Sequence, residues 1–342
     1  MKNIKKILSL TLALILMLSV FLFTSCRKTE NENNENNEQT NESNEEKVPE
    51  KVRVIALKGP TGMGMAKLID DDTNKKTKYD YEFNLLSAPT DVNAEVIKGE
   101  YDIAAVPINL ASVLYNKTEG ELKIAAINTL GVLYMLENGN AINSISDLKG
   151  KTIYATGQGS TPEYVLRYVL TKNNIDPAKD VTIEFLADHA ELTEKLKNNN
   201  VAVGMLPEPN VTTVLTANSS FRVALNMTEE WNKISANKLI QGCIIVNKKF
   251  AEDHPTALKD FLSEYKASVD YANNNVEEAS KLIEKAGIVP KAAVAKKALP
   301  NCNICCITGD EMKNDVKAML NVLFEANKQS VGGKLPDDEF YY

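Results

Sequence analysis

Residues that commonly carry out chemistry are scarce in this sequence. The 342 residues include two histidines, His189 and His254, which is too few for a metal site built from histidines. Neither lies in a recognisable catalytic motif with a nucleophile, so covalent catalysis is not indicated. We therefore expect a protein that is not an enzyme and that needs no cofactor.

The cysteines leave three interpretations open. Cys302, Cys305 and Cys306 fall within five positions, and Cys243 could join them only through the fold. A soft-metal site usually needs four ligands in a closed geometry, and no histidine lies nearby in the sequence. Buried or loop thiols, a disulfide in a secreted setting and a metal site are all compatible with the sequence. We expect thiols in the core or a loop and no metal.

Small and polar residues instead mark the ends of several predicted strands. Ligands of open α/β sheets bind beyond the carboxyl ends of the strands, often at helix N-termini, so these residues are candidates for a binding site. The candidate ligand contacts are Gly59, Pro60, Thr61, Gly62, Met63, Thr90, Pro107, Asn109, Thr129, Gly159, Ser160, Thr161 and Glu208.

Each candidate also has a purely structural interpretation. The glycines of 59–64 let a backbone approach a ligand closely, or they simply form a tight turn between a strand and a helix. No Gly-Lys-Ser/Thr follows them, which excludes a Walker loop. Ser160 or Thr161 is expected to cap a helix whose free N–H groups suit an anionic or polar group, although capping alone would explain both residues. Glu208 could accept from an amine, or it could face solvent or a partner protein.

Charge narrows the choice of partner and ligand. The formal net charge is −7, and no long basic stretch lies in the predicted folded region, which argues against nucleic acid. The arginines Arg27, Arg53, Arg167 and Arg222 all lie outside the candidate segments, so no bidentate clamp for a sulfonate or carboxylate is visible. We expect either backbone amides around an anion or a neutral or cationic heterocycle held by Glu208.

The first 50 residues predict export and lipid attachment. Three lysines precede an apolar run over 7–23, and Cys26 follows shortly, which is typical of a lipoprotein signal peptide. A single transmembrane anchor is the alternative, since the run is near the lower length limit for a spanning helix. We expect a signal peptide over 1–25, and a lipidated Cys26 with a disordered acidic tether over 26–50. This arrangement anchors the protein at the extracytoplasmic face of the cell membrane.

Strands and helices must position the candidate residues, and they alternate along most of the domain. Short apolar runs such as Ile103–Val106 predict buried parallel strands, and the chain from Pro255 onward is almost all helix, with no new strand. This order predicts an α/β protein of two lobes, each a mostly parallel sheet flanked by helices, with the ligand cleft between them. We expect lobe 1 to comprise 51–130 and 243–342, and lobe 2 to comprise 131–242.

A family resemblance covers about residues 51–330. It is carried by the runs VIALKGPTGMGMAKLID, YDIAAVPINLASVLYNKT, DLKGKTIYATGQGSTPEYVLRYVL and VGMLPEPNVTTVL. These resemble the nitrate, sulfonate, taurine and thiamine-precursor group of ABC-transporter solute receptors, which have the type II periplasmic-binding-protein fold. Among the ligands that this resemblance implies, we favour a pyrimidine- or thiamine-like heterocycle over an alkylsulfonate or taurine-like anion. The resemblance implies a monomeric receptor whose lobes close on a small molecule and which then docks to permease subunits. Two alternatives stay open: a cofactor-independent enzyme for small metabolites on the same fold, and a sensor lipoprotein without a transport role.

Overall fold

Eleven strands and thirteen α-helices lie in residues 48–87 and 89–342, which are the residues that the computed structural model describes. The predicted signal peptide and residues 26–47 of the predicted tether lie outside them. The strands are β1 (Val52–Leu57), β2 (Tyr81–Leu86), β3 (Ile103–Pro107), β4 (Leu122–Leu130), β5 (Leu133–Asn138), β6 (Thr152–Ala155), β7 (Thr182–Phe185), β8 (Val203–Pro207), β9 (Phe221–Asn226), β10 (Ile240–Asn247) and β11 (Ile304–Ile307). The helices are α1 (Pro60–Met63), α2 (Ala66–Thr73), α3 (Pro89–Lys98), α4 (Ile108–Lys117), α5 (Thr161–Lys172), α6 (His189–Lys197), α7 (Asn210–Ala217), α8 (Met227–Asn232), α9 (Lys248–Asp253), α10 (Pro255–Asn274), α11 (Val276–Lys285), α12 (Ala292–Ala298) and α13 (Gly309–Ala326).

The first sheet has six strands in the order β11-β4-β10-β3-β1-β2. β1 pairs in parallel with β2 and β3, whereas β10 runs antiparallel to both β3 and β4, and β11 runs antiparallel to β4. The sheet is therefore mixed rather than mostly parallel, because the central strand β10 returns from the second sheet in the opposite direction. β3 and β10 are buried along almost their whole length, which explains their continuous apolar sequences.

The second sheet has five strands in the order β7-β6-β8-β5-β9. β6 is parallel to β7 and β8, while β5 is antiparallel to β8 and β9, so this sheet is mixed as well. The chain enters it between Leu130 and Leu133 and returns to the first sheet through α8 and residues 233–239. The predicted two-lobed α/β architecture is confirmed, with antiparallel pairs that the alternation of strands and helices did not reveal.

Amphipathic helices cover the sheets. In α10, Pro255 occupies the first turn, where its missing N–H costs no hydrogen bond, and Ala257, Leu258, Phe261 and Tyr265 are buried at helical spacing. The helix packs against α2, α11 and β11. None of the helices in the described ranges 48–87 and 89–342 is both long and apolar enough to cross a bilayer.

The C-terminal third contributes one strand, contrary to expectation. β11 adds to the edge of the first sheet, where Ile304 pairs with Thr129 and Ile307 pairs with Ile127. Its sequence, ICCI, is a four-residue apolar run. Periodicity cannot distinguish such a short run from the end of a helix or a buried loop, which is why the sequence prediction missed it.

Trp231 belongs to the core. Although acidic residues precede it in the sequence, the indole is 0% exposed. Its Nε1–H donates to Asn237 O at 2.7 Å, and its ring lies 5.0 Å from that of Tyr168 on α5. Glu229 remains exposed while α8 turns Trp231 inward.

Candidate functional site

The sheet edges that adjoin the two connections between the lobes lie together. β1, β3 and β4 end at this edge of the first sheet, while β10 and β11 begin there. In the second sheet β6, β7 and β8 end at the corresponding edge, and β5 begins there. The side chain of Asn109, which follows β3, bonds to Thr161, which lies beyond β6. Strand ends from both sheets therefore meet where α/β proteins commonly bind ligands.

Buried polar side chains are concentrated at this meeting of the sheets. Buried polar groups are normally paired, so those that stay unpaired point to a functional site. The buried polar residues of the described chain at these edges are Asn109, Asn128, Thr129, Thr156, Thr161, Glu208 and Gln241. Four of them are predicted candidates, whereas Asn128, Thr156 and Gln241 are additions from the structure.

Three of these residues form a polar cluster, which we define as Asn128, Thr129 and Gln241. Four of their buried atoms, Asn128 Nδ2 and Oδ1, Thr129 Oγ1 and Gln241 Nε2, have no hydrogen-bond partner among the described residues. The residues are neighbours in the sheet, because Thr129 pairs with Gly242 and Leu130 pairs with Ile240. A buried donor or acceptor left unsatisfied costs about 1–3 kcal/mol. Such a concentration indicates groups that are kept available for a ligand.

Gly242 has no side chain and so leaves room for the side chains of the polar cluster. The register between β4 and β10 shifts at this glycine, which pairs with Thr129 while the next residue pairs with Ile127. A Cβ on Gly242 would lie 2.6 Å from Asn128 Oδ1 and 2.8 Å from Thr61 Cγ2. A side chain is therefore excluded at position 242, and Thr61 of α1 approaches the cluster from the glycine-rich segment.

The sequence prediction missed Asn128 and Gln241, although a signal for them exists. Both lie inside largely apolar runs, Leu122–Leu130 and Ile240–Asn247, which form strands buried over nearly their whole length. An amide side chain in such a strand has to be desolvated, which is unfavourable unless hydrogen bonds to the protein or to a ligand compensate for it. Polar residues inside a buried strand, and not only those in the loops beyond it, deserve to be treated as site candidates.

Glu208 follows β8 at the cleft edge of the second sheet and is also buried, at 2% exposed. Its carboxylate accepts from Thr212 N at 3.0 Å and from Thr212 Oγ1 at 2.9 Å. Burial raises the pKa of Glu208 above its ordinary value, while hydrogen bonds from Thr212 and Asn301 oppose the shift. Asn301 follows α12, and its carbonyl accepts from Tyr134 Oη at 3.2 Å. Glu208 thus connects the second sheet to a segment that precedes β11 of the first.

The glycine-rich segment after β1 forms the short helix α1. Gly59 has a φ of 103°, in the region that favours glycine, and its carbonyl accepts from the N–H groups of Gly62 and Met63. A Cβ on Gly62 would lie 2.7 Å from Leu57 O. The turn itself therefore requires both glycines. Met63 is buried, with its Sδ 3.7 Å from Cys302 Sγ.

The start of α5 differs in detail from the prediction. Ser160 is the N-cap residue, but its Oγ donates to Gly157 O at 2.7 Å and makes no capping bond. The Thr161 N–H, expected to be free, donates to Asn109 Oδ1 at 3.1 Å. The Gly159 N–H donates to the Glu163 carboxylate. These donors are already engaged within the protein.

Three further candidate residues lie in different environments. Thr90 is exposed in the first turn of α3, and Pro60 is half-buried at the start of α1. Pro107 lies at the cleft edge of the first sheet, where it pairs with Gly242. Of these, Pro107 is the one that the sheet pairing places beside the polar cluster.

Thr156 lies at the same edge of the second sheet and is paired with a histidine. Its Oγ1 is 2.6 Å from His189 Nδ1. Burial lowers the pKa of His189 below its ordinary value, which favours the neutral imidazole. The pair adds two uncharged hydrogen-bonding groups to the second sheet's edge.

The four cysteines of the described residues are free thiols, as the core-or-loop interpretation expected: Cys243, Cys302, Cys305 and Cys306. The first two are buried, and the other two are half-buried on β11. Burial raises the pKa of Cys305 to about 12 and that of Cys306 to about 11, so both stay protonated at neutral pH. In residues 48–87 and 89–342 no His, Cys, Asp or Glu residues are grouped as they would be to hold a metal ion.

The buried charges of the described residues are all acidic. They are Asp102, Glu137, Glu208 and Glu230. A buried oxyanion normally needs a cation or several free N–H groups, since desolvating it is unfavourable. The cleft therefore offers amides, hydroxyls and one carboxyl group rather than a positive charge.

The fold is shared with ABC solute-binding proteins. An ABC transporter structure from Parabacteroides distasonis has 23% identity and a TM-score of 0.73, covering 86% of this chain and 99% of that one. The aliphatic sulphonate binding protein SsuA from Escherichia coli has 15% identity and a TM-score of 0.66, with coverage of 85% and 93%. The nitrate-binding protein NrtA from Synechocystis has 13% identity and a TM-score of 0.60, with coverage of 82% and 84%. No curated protein matches the sequence.

A family model agrees with this structural likeness. It matches residues 66–298 and describes a periplasmic substrate-binding protein of a phosphonate ABC transporter. The matched stretch includes strands of both sheets and both connections between them. The resemblance that the sequence motifs suggested is thereby confirmed, and the chain belongs to the phosphonate-type family of periplasmic substrate-binding proteins of ABC transporters.

Proposed function

We propose that this ABC substrate-binding protein captures a neutral or cationic polar heterocycle between its lobes and releases it to the permease. The observation that carries the proposal is the polar cluster, whose four unpartnered atoms lie where the two sheets meet. Closure of the lobes would bury the ligand against them, and the permease would recognise the closed form.

The chemistry of the cluster supports the ligand class. Asn128 offers one donor and one acceptor side by side, Thr129 offers a hydroxyl that can do either, and Gln241 offers a donor. An aminopyrimidine presents matching donors and acceptors along one edge. The protonatable carboxyl of Glu208 suits an amino group, whereas an alkylsulfonate or alkylphosphonate would meet no buried cation among the described residues.

The proposed contacts are the polar cluster, Thr61 and Glu208. The other residues expected from the sequence to contact the ligand stay predictions. The internal bonds of the α1 and α5 segments favour a structural role for most of them. They are Gly59, Pro60, Gly62, Met63, Thr90, Pro107, Asn109, Gly159, Ser160 and Thr161.

A thermal-shift panel tests the ligand class. We expect aminopyrimidines or thiamine to raise the melting temperature, because a ligand at a hundredfold excess over its Kd stabilises the native state by about 2.7 kcal/mol. Taurine, methanesulfonate, methylphosphonate and nitrate should leave the melting temperature unchanged. The alanine variant of exposed Asn321, on α13, is the control and should respond as the wild type does. A shift with the oxyanions and none with the heterocycles would reject this ligand class.

We also propose that the protein binds its ligand without converting it chemically, and that it is a monomeric receptor of two lobes. The lobes are 51–130 with 243–342, and 131–242, a division that the sheet membership supports to within three residues, since β10 begins at Ile240. Recovery of the bound ligand unchanged would support a receptor, whereas a chemically altered product would favour the enzyme alternative.

We further propose that a lipid on Cys26 anchors the protein, supported by the leader sequence and by the family's periplasmic setting. The Cys26→Ser variant is expected to move from the membrane fraction to the soluble or uncleaved precursor fraction, because diacylglycerol attachment requires the thiol. Fractionation with metabolic labelling by a radioactive fatty acid measures both effects. Unchanged labelling of the variant would contradict lipid attachment at this residue.

A further inference from the structure

We propose that Asn109 determines ligand specificity by filling, with its own amide, the position at the start of α5 that an oxyanion would otherwise take. In doing so it joins the two lobes by hydrogen bonds that need no ligand. The inference rests on the proposed function, since it concerns which ligands the cleft accepts. It explains how a chain of the phosphonate-type family can favour an uncharged ligand.

The contacts of Asn109 support this role directly. The side chain is 2% exposed, and its Oδ1 accepts from both the N–H and the Oγ1 of Thr161, at 3.1 and 2.9 Å. Its Nδ2 donates to Gly159 O at 3.4 Å and to Ser330 O at 3.2 Å. Asn109 follows β3 of the first sheet, whereas Gly159 and Thr161 follow β6 of the second. One amide thus forms three of its four bonds across the cleft.

The remaining donors at the start of α5 are also unavailable. Pro162 has no N–H, and the N–H groups of Glu163 and Tyr164 donate back to Ser160 O. The Gly159 N–H donates to Glu163 Oε2 at 2.7 Å. An arriving oxyanion would find the N–H groups of residues 159–164 already engaged and would lie beside the Glu163 carboxylate.

Asn109 is held in place by the helix that carries it. Ser112 Oγ donates to Val331 O at 2.9 Å, and Asn116 Nδ2 donates to Val331 O and Lys334 O at 2.9 and 2.8 Å. Asn109, Ser112 and Asn116 are spaced by three and four residues, so they share one face of α4. Together with the Asn109 Nδ2 bond to Ser330 O, these bonds join the face to the segment after α13 several times over, so the loss of the Ser112 or the Asn116 bonds alone leaves the Asn109 amide in position.

The substitution Asn109→Ala tests the proposal in the full-length chain, with Ser112→Ala as the matched control on the same helix face. Both variants lose a buried bond to the segment after α13, but the Ser112 bond to Val331 O lies within lobe 1 and does not cross the cleft. Asn109→Ser is the milder second variant if Asn109→Ala does not fold. Hydrogen exchange of residues 157–164 and melting with methanesulfonate or methylphosphonate are the two measurements.

We expect Asn109→Ala to speed exchange of residues 157–164 by about tenfold or more, because the Thr161 N–H loses its partner and the lobes separate. We also expect this variant, unlike the wild type, to gain about 2–4 °C in melting temperature with either oxyanion. Ser112→Ala should show neither effect. Exchange that matches the Ser112→Ala control, or no response to either oxyanion, would overturn the inference. Both measurements stand whether or not heterocycles bind the wild type, so a failure here differs from a failure of the proposed ligand class.

Discussion

The Asn128→Leu variant is expected to be more stable than the wild type and to bind the ligand more weakly. Leucine has the same number and branching of side-chain heavy atoms as asparagine but no polar atoms to leave unsatisfied. Asn128 is 0% exposed, and both of its amide atoms lack partners among the described residues. Each unsatisfied group costs about 1–3 kcal/mol, so the ligand-free protein should gain about that much stability. Loss of the donor and acceptor should weaken binding by about tenfold or more.

Asn116→Leu is the contrasting control for this experiment. Asn116 Nδ2 makes two hydrogen bonds to the segment after α13, so its replacement should lower stability and leave ligand affinity unchanged. Urea unfolding measures the stabilities, and calorimetry with whichever heterocycle stabilises the wild type measures the affinities. An Asn128→Leu protein that is less stable than the wild type would mean that Asn128 has partners in solution. Undiminished affinity would remove Asn128 from the site.

The Trp231→Ala variant is expected to lose about 3–5 kcal/mol of stability, the usual cost of truncating a large buried aromatic side chain. Trp231 is the single tryptophan of the sequence. Its Nε1–H bond to Asn237 holds the return connection between the lobes, and its contact with Tyr168 holds α5. Two elements beside the cleft therefore lose support together.

Urea unfolding followed by circular dichroism measures this loss, since the substitution removes the natural fluorophore. Trp231→Phe should fall between the wild type and the alanine variant because it keeps an aromatic ring and loses the Nε1–H donor. Ile97→Ala is the surface control: Ile97 is 55% exposed, and its truncation should change stability by less than about 0.5 kcal/mol. A loss for Trp231→Ala as small as that of the control would contradict the buried position.

Much of the architecture follows from the sequence because it depends on local signals. Apolar runs locate the strands, and proline, glycine and capping residues locate helix ends such as Pro255 and Asp188, whose side chain accepts from Glu191 N–H. Strand direction is a different matter. β10 and β5 run antiparallel to their neighbours because of the direction in which the chain returns after crossing between the sheets. The predicted lobe bounds place the crossings near residues 130 and 243, but they do not determine how the returning strands pair.

The residues of the candidate site also divide into those that the sequence reveals and those that only the folded structure reveals. Glu208 and Asn109 follow buried strands, and Thr129 is the last residue but one of β4, so the rule about strand ends finds them. Asn128 and Gln241 lie within strands, and their importance depends on the absence of partners, which only the folded arrangement reveals. The predicted free N–H groups at α5 are an opposite case. Asn109, distant in sequence, occupies them, so a local signal for anion binding is cancelled by a contact from the other lobe.

The pairing of β4 with β10 has a consequence for how the protein is made. Leu122 pairs with Asn247, so the whole second sheet is synthesised between two adjacent strands of the first. Closing such a long loop is entropically costly, and contacts of high sequence separation form late. The second sheet comes from one continuous segment and can assemble as soon as that segment leaves the translocon. The first sheet must wait with β3 and β4 unpaired along one edge until β10 arrives, and this interval during export is when the chain is most exposed to aggregation and to proteases.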